Sequence, residues 1–192
     1  MATALPFRVF NLMTDALPTS YFELFDIPVS YDVDLNKVQH RYRELQKAVH
    51  PDKYASASAQ ERRLSMQQTS MINQALHTLK HPVERAVYLL QLKSPEFTMD
   101  NQTTMDAAFL IEQMEMREKL ETVRDLKDPI AELEGMLTQI SSNVKSIAAE
   151  FIRSYEEDEI DSAREAVRKL QFLYKTRTEI DELVASIEDE LM

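Results

Sequence analysis

"HRYRELQKAVHPDKYAS", residues 40–56, is the stretch on which the fold turns: its first half continues an amphipathic helix and its second half ends that helix at His-Pro-Asp. Reading back from it, Asp34 supplies a cap, and Leu35, Val38, Tyr42, Leu45 and Val49 recur at spacings of 3, 4, 3 and 4, one stripe of an α-helix. Pro51 disfavours helical geometry at the residue before it, so the helix is predicted to stop there, leaving His50-Pro51-Asp52 in a loop. Reading forward, "ASASAQ" (55–60) is a spacer, after which Leu64, Met71, Ile72, Ala75, Leu76 and Leu79 are the inward candidates of a second helix. So short a connection favours an antiparallel neighbour, which gives a helical hairpin with the tripeptide at its tip.

The flanks extend this pattern. "SYFELFDIP" supplies one apolar turn closed by Pro28, and Pro82 suits the first turn of a short helix in "HPVERAVYLLQL". Phe22, Leu24, Phe25, Tyr88, Leu89 and Leu90 are expected to cover the open side of the hairpin. Residues 94–106 carry turn and cap chemistry without a helical period, and are predicted to be a linker. Three helical patterns follow. The first holds Phe109, Leu110, Met114, Leu120 and Val123; Asp128-Pro129 opens the second, with Ile130, Leu133, Leu137, Ile140, Val144, Ile147 and Phe151 inward. The last places Ala166, Leu170, Leu173, Arg177, Ile180, Val184, Ile187 and Leu191 on a bundle seam with one charged interruption.

Composition agrees with an all-α protein: one glycine in 192 residues leaves little material for hairpins or glycine-cornered sheets. There is no cysteine, which excludes disulfides, a thiol nucleophile and Cys-ligated zinc or iron–sulfur clusters, so any part in metal chemistry would be indirect. Charge is divided unevenly. Residues 20–93 hold ten Lys/Arg against eight Asp/Glu, and residues 94–192 eleven against twenty-four. Two parts with different partners are the expectation, and the acidic half argues against nucleic-acid binding. The first nineteen residues lack the basic flank and apolar core of a signal peptide, and no run of about 18 apolar residues could span a membrane. They read as a disordered leader or an upstream start choice, with Met13 as an alternative start, on a cytoplasmic protein.

Three uses of the tripeptide compete. An acid–base site at His50 and Asp52 would need a nucleophile or substrate pocket and a way to exclude water, which two residues on a loop do not provide. A metal site would have only His40, His50, His77 and His81 as nitrogen ligands, in no recognised metal-binding pattern, so no metal and no cofactor is expected. A loop presented to a partner has more support, because Lys37, Arg41, Arg43 and Lys47 on the preceding helix, with Lys53 after the tripeptide, form a basic face. Such a face could steer an acidic protein surface into register; a solvated face with Lys placed for the helix dipole is the plainer alternative.

The helix with Tyr42 and Leu45, the His-Pro-Asp loop and the returning helix resemble the J-domain of the DnaJ class of co-chaperones. "YFELFDIP" (21–28), "INQALHTLKHPVERAVYLL" (72–90), "FLIEQMEMREKLE" (109–121) and "AREAVRKLQFL" (163–173) look like the HscB-type J-protein, the co-chaperone of iron–sulfur cluster assembly. The implied organisation is a leader (1–19), a J-domain (20–93), a short linker (94–106) and a C-terminal three-helix bundle (107–192). The resemblance implies that His50, Pro51 and Asp52, with Arg41, Arg43 and Lys47, engage the Hsp70-type ATPase HscA and stimulate it, the chain hydrolysing nothing itself. It further implies that Leu110, Ile111, Met114 and Phe172, with Glu115 and Glu118 beside them, bind the cluster scaffold IscU. Spacing alone favours Leu110 and Met114 as bundle core, and only the resemblance reverses that. Without the cysteine-bearing zinc module of metazoan members, the chain looks like the bacterial type, and Leu76 stands where an aromatic residue is common. A monomer is expected. The runner-up is a general J-protein whose bundle holds unfolded clients or dimerises.

Overall fold

The structure is a computed structural model, and it describes residues 18–54, 57–99 and 106–191. The expected leader, 1–19, lies outside them except for Pro18 and Thr19. The described residues form helices and connecting turns that divide into two compact units, one ending at Pro95 and the other beginning at Glu96.

In the first unit, α1 (Tyr21–Leu24) is capped by Ser20 and followed by α2 (Leu35–Val49), whose first turn is closed by the Asp34 carboxylate accepting from the Asn36 and Lys37 amides. Helix α3 (Ala59–Lys80) begins inside the predicted spacer. Ser58 and Glu61 form a reciprocal capping box there, a stronger start signal than the run of small residues is a break. Helix α4 (Pro82–Lys93) opens on Pro82 as expected.

Helices α2 and α3 are antiparallel: Val49 meets Ser65 at one end, and Tyr42 meets Asn73 further along. Phe22, Leu24, Phe25, Val38, Leu45, Ile72, Leu79, Leu89 and Leu90 are all buried, so α1 and α4 do close the hairpin. Arg85 of α4 is buried as well. Its guanidinium lies 5.0 Å from the Tyr31 ring centre and donates to the Leu79 carbonyl, taking up an acceptor that the end of α3 leaves open.

The second unit is built from α5 (Ala107–Thr122), α6 (Pro129–Glu156) and α7 (Ile160–Leu191). Asp106 caps α5, and Asp128 with Pro129 opens α6 as predicted. A three-residue turn makes α6 and α7 antiparallel, with Asp158 at φ 60°, a left-handed position that Asp tolerates better than most side chains. Helix α5 runs parallel to α7, since Phe109 packs edge-to-face on Phe172 and Arg124 reaches Glu190 at 2.9 Å and Ser186 at 3.0 Å.

Two details correct the sequence reading. Phe97, inside the predicted linker, is buried in the second unit with the Arg164 guanidinium 5.3 Å from its ring centre, so the bundle recruits residues ahead of its first helix. Arg177 faces solvent, and Thr176 takes the inward position, its hydroxyl satisfied by the Phe172 carbonyl one turn back.

Candidate functional site

Two surfaces carry the residues singled out by sequence. The first is the tip of the α2/α3 hairpin. His50 is the C-terminal cap of α2, and Pro51–Tyr54 form a single 3-10 turn. Pro51 has no N–H to return to the helix, so side chains close the end of α2 instead. Ser65 Oγ donates to the Val49 carbonyl at 2.7 Å, and Tyr54 Oη lies 3.4 Å from that of Ala48. Lys53 N–H returns to the His50 carbonyl at 3.0 Å.

Within this turn the His50 ring is held by its own loop. Nδ1 accepts from the Asp52 N–H at 3.3 Å, which leaves the proton of a neutral ring on Nε2. Asp52 Oδ2 is 3.5 Å from the same nitrogen, an ion pair only when the ring is protonated. The His50 side chain is half exposed and the Asp52 carboxylate almost fully so. The loop thus presents a carboxylate and an imidazole to solvent.

The basic face is narrower than predicted. Arg43 and Lys47 are exposed and four residues apart, and Lys37 and Lys53 are exposed as well. Arg41 is not: three residues after Val38 and four before Leu45, it lies on the buried stripe, is 8% exposed, and its Nη1 pairs with Glu44 at 3.1 Å. Its position argues for packing α2 rather than presenting a charge. Tyr42, assigned to the stripe by spacing, sits at its margin and donates to Asn73 Oδ1, which Gln46 also reaches at 2.8 Å.

The second surface is on α5. The buried stripe of this helix is Phe109, Gln113, Met116 and, beyond its end, Val123. Leu110, Ile111 and Met114 point away from it and are 37%, 56% and 65% exposed, so the expectation of core from spacing is overturned. The apolar periodicity of α5 is ambiguous because two interleaved stripes satisfy it, and the polar Gln113 sits in the buried one. Glu115 and Glu118 are exposed beside the triad. Phe172 is half-buried across the groove from α5 and is held by the ring of Phe109.

Lys169 anchors the start of the helix, 3.6 Å from Asp106 and 3.2 Å from Glu165. Burial opposes its charge, but the hydrogen bond and charge of Glu165, with Glu150 and Asp106 behind them, outweigh burial and raise its pKa above 10.5.

Sequence reasoning missed three polar side chains. Ser65 and Gln68 continue the α3 stripe backwards from Ile72, Ala75 and Leu79 at spacings of 3, 4, 3 and 4, a signal that apolar periodicity alone does not carry. Gln113 hid in α5 for the same reason. Among the described residues there is no cluster of three or more His, Asp or Glu able to hold a metal, and no helix long and apolar enough to cross a membrane.

Known proteins can be set beside this geometry. A family profile described as "HSCB C-terminal oligomerisation domain" matches residues 105–181. The chain is 42% identical over 177 residues to the co-chaperone protein HscB homolog of Shewanella pealeana, covering 90% of this chain and 99% of that one. Chaperone HscB from Vibrio cholerae superposes with a TM-score of 0.78 at 36% identity, covering 90% of this chain and 99% of that one. Human co-chaperone protein HscB gives a TM-score of 0.76 at 31% identity, over 87% of this chain and 83% of that one.

Proposed function

Because the chain belongs to the HscB family of J-domain co-chaperones of iron–sulfur cluster assembly, we propose that it couples an Hsp70-type ATPase, HscA, to the cluster scaffold protein IscU. The first unit engages the ATPase through His50-Pro51-Asp52, with exposed Arg43 and Lys47 steering the encounter. Arg41 contributes by keeping α2 packed. The chain hydrolyses nothing: it offers contacts to one state of the ATPase and shifts its populations toward hydrolysis.

The second unit holds the scaffold on Leu110, Ile111, Met114 and Phe172, with Glu115 and Glu118 at the rim. Tethering then raises the scaffold's effective concentration at the chaperone. The adaptor acts as a cytoplasmic monomer. The observation that carries this reading is the exposed apolar triad on α5, which leaves the bundle core elsewhere and which a helix serving only its own bundle would bury.

The test is single-turnover ATP hydrolysis by HscA, with and without IscU, comparing this protein with His50→Gln and Leu110→Ser. Stimulation should need His50, should rise with IscU, and should lose only the IscU-dependent part in Leu110→Ser. Stimulation indifferent to IscU would favour a general J-protein, and no stimulation by the folded chain would refute the proposal.

A further inference from the structure

Gln113 is the one member of the α5 stripe whose chemistry the bundle does not use. Its side chain is 4% exposed, and neither the amide nitrogen nor the amide oxygen has a hydrogen-bond partner among the described residues. Buried amides are normally paired, so an unpaired one in a helical bundle asks for an explanation. Packing supplies none, because a methionine or leucine would fill the same place without polar atoms.

Gln113 lines a groove between α5 and α7 of about 60 Å³, enough for a few water-sized groups and too small for an aromatic ring. Leu120 and Phe172 line it with apolar surface. Thr176 also lines it, but its hydroxyl donates to the Phe172 carbonyl. The charged side chains along it, Arg117 and Lys175 against Glu179, are of both signs, and Arg117 is itself 3.8 Å from Glu121.

Those surroundings favour a neutral occupant. It must offer an acceptor to the Gln113 NH₂ and a donor to its carbonyl at once, which a carboxylate or an ammonium cannot do. A backbone peptide or a carboxamide does both.

The groove is also continuous with the exposed triad. Arg117 follows Leu110 by seven residues and Met114 by three, on one face of α5, and Phe172 belongs to both patch and groove.

We infer that Gln113 is a specificity-determining residue of the scaffold-binding face, receiving one amide group of the scaffold in the α5/α7 groove while Leu110 and Met114 take its apolar contact. This rests on the assignment of the α5 face to IscU made above. Apolar contact alone discriminates weakly between partners, whereas a buried amide penalises any partner that fails to pair it.

The test uses the full chain and IscU, titrated calorimetrically, with Gln113→Met and Leu110→Ser as variants and melting curves for both. Gln113→Met should fold, melt no lower than the parent, and bind IscU roughly tenfold more weakly, the order expected for a lost amide pair. In the unsubstituted protein, the side-chain amide protons of Gln113 should shift downfield and exchange more slowly when IscU is added, a change that a purely structural glutamine would not make. Binding that responds to Leu110→Ser but not to Gln113→Met, or amide signals unmoved at saturation, would overturn this inference and leave the assignment of the face intact. Absence of IscU binding, or indifference to Leu110→Ser, would refute that assignment and this inference with it.

Discussion

Removing one oxygen from Ser65 should loosen the His-Pro-Asp loop without touching it. Ser65 is 1% exposed, and its hydroxyl closes the carbonyl of Val49, the last residue of α2 and the neighbour of His50. In Ser65→Ala that carbonyl loses the one short side-chain donor it has among the described residues, since Tyr54 Oη stands 3.4 Å from the carbonyl one residue earlier and is already at the limit of hydrogen bonding. A buried acceptor left unpaired costs about 1–3 kcal/mol, and the smaller side chain adds little because only one atom is lost. Taking about 1.4 kcal/mol, in the lower part of that range, local opening of the loop should become about tenfold more frequent.

Amide hydrogen exchange reads this directly. The amides of the last turn of α2 and of Lys53, which donates to the His50 carbonyl, should exchange about tenfold faster, a factor that follows from the same free energy. Amides around Ile140 and Leu173, in the other unit, should not change. Unchanged exchange at Lys53, or equal acceleration in both units, would refute the claim that Ser65 latches the loop.

Three further substitutions or conditions test the description. Arg41→Ala should destabilise the first unit in urea, whereas Arg43→Ala should leave its midpoint unchanged and slow association with the ATPase in a salt-dependent way, because only Arg41 is buried. Phe97→Ala should cost about 3–5 kcal/mol of second-unit stability, measured by denaturation, although the residue precedes the bundle's first helix. Hydrogen bonds from the Ser58 side chain and backbone lower the Glu61 pKa from its ordinary 4.5, so this cap's stabilisation is fully present above about pH 4.5 and is lost as pH falls through the lower folded value. Protection at the start of α3, taken relative to the intrinsic exchange rate at each pH, should therefore fall below pH 4.5, and Glu61→Gln should remove that dependence.

The hairpin was legible because three independent signals agree along its first helix: the Asp34 cap at its start, the apolar stripe on its face and the proline at its end. The starts of α4 and α6 were legible from Pro82 and Pro129 for the same reason. Less was legible wherever a polar side chain occupies a core position. Arg41, Ser65, Gln68, Gln113 and Thr176 are all buried, and a search for apolar periodicity passes over each or shifts the stripe by one residue. On α5 that shift exchanged inside for outside. The direction of Leu110 and Met114 depends on which stripe the neighbouring helices α6 and α7 accept, a property of the assembled bundle that no local pattern contains. Arg41 failed for the opposite reason: charge implied solvent, but its aliphatic stem and its pairing with Glu44 let the buried stripe accept it.

Leu110, Ile111 and Met114 also bear on how this sequence can drift. Exposed side chains contribute little to folding, so replacing any of the three by a serine or a glutamine would leave the bundle as stable and make its surface more soluble. Selection for a folded protein alone therefore exerts almost no hold on these positions and, if anything, favours polar residues there. Their apolar character persists in a lineage only while something presses against it, and a descendant freed from its partner should lose these three side chains long before it loses Phe109 or Met116 one helical face away.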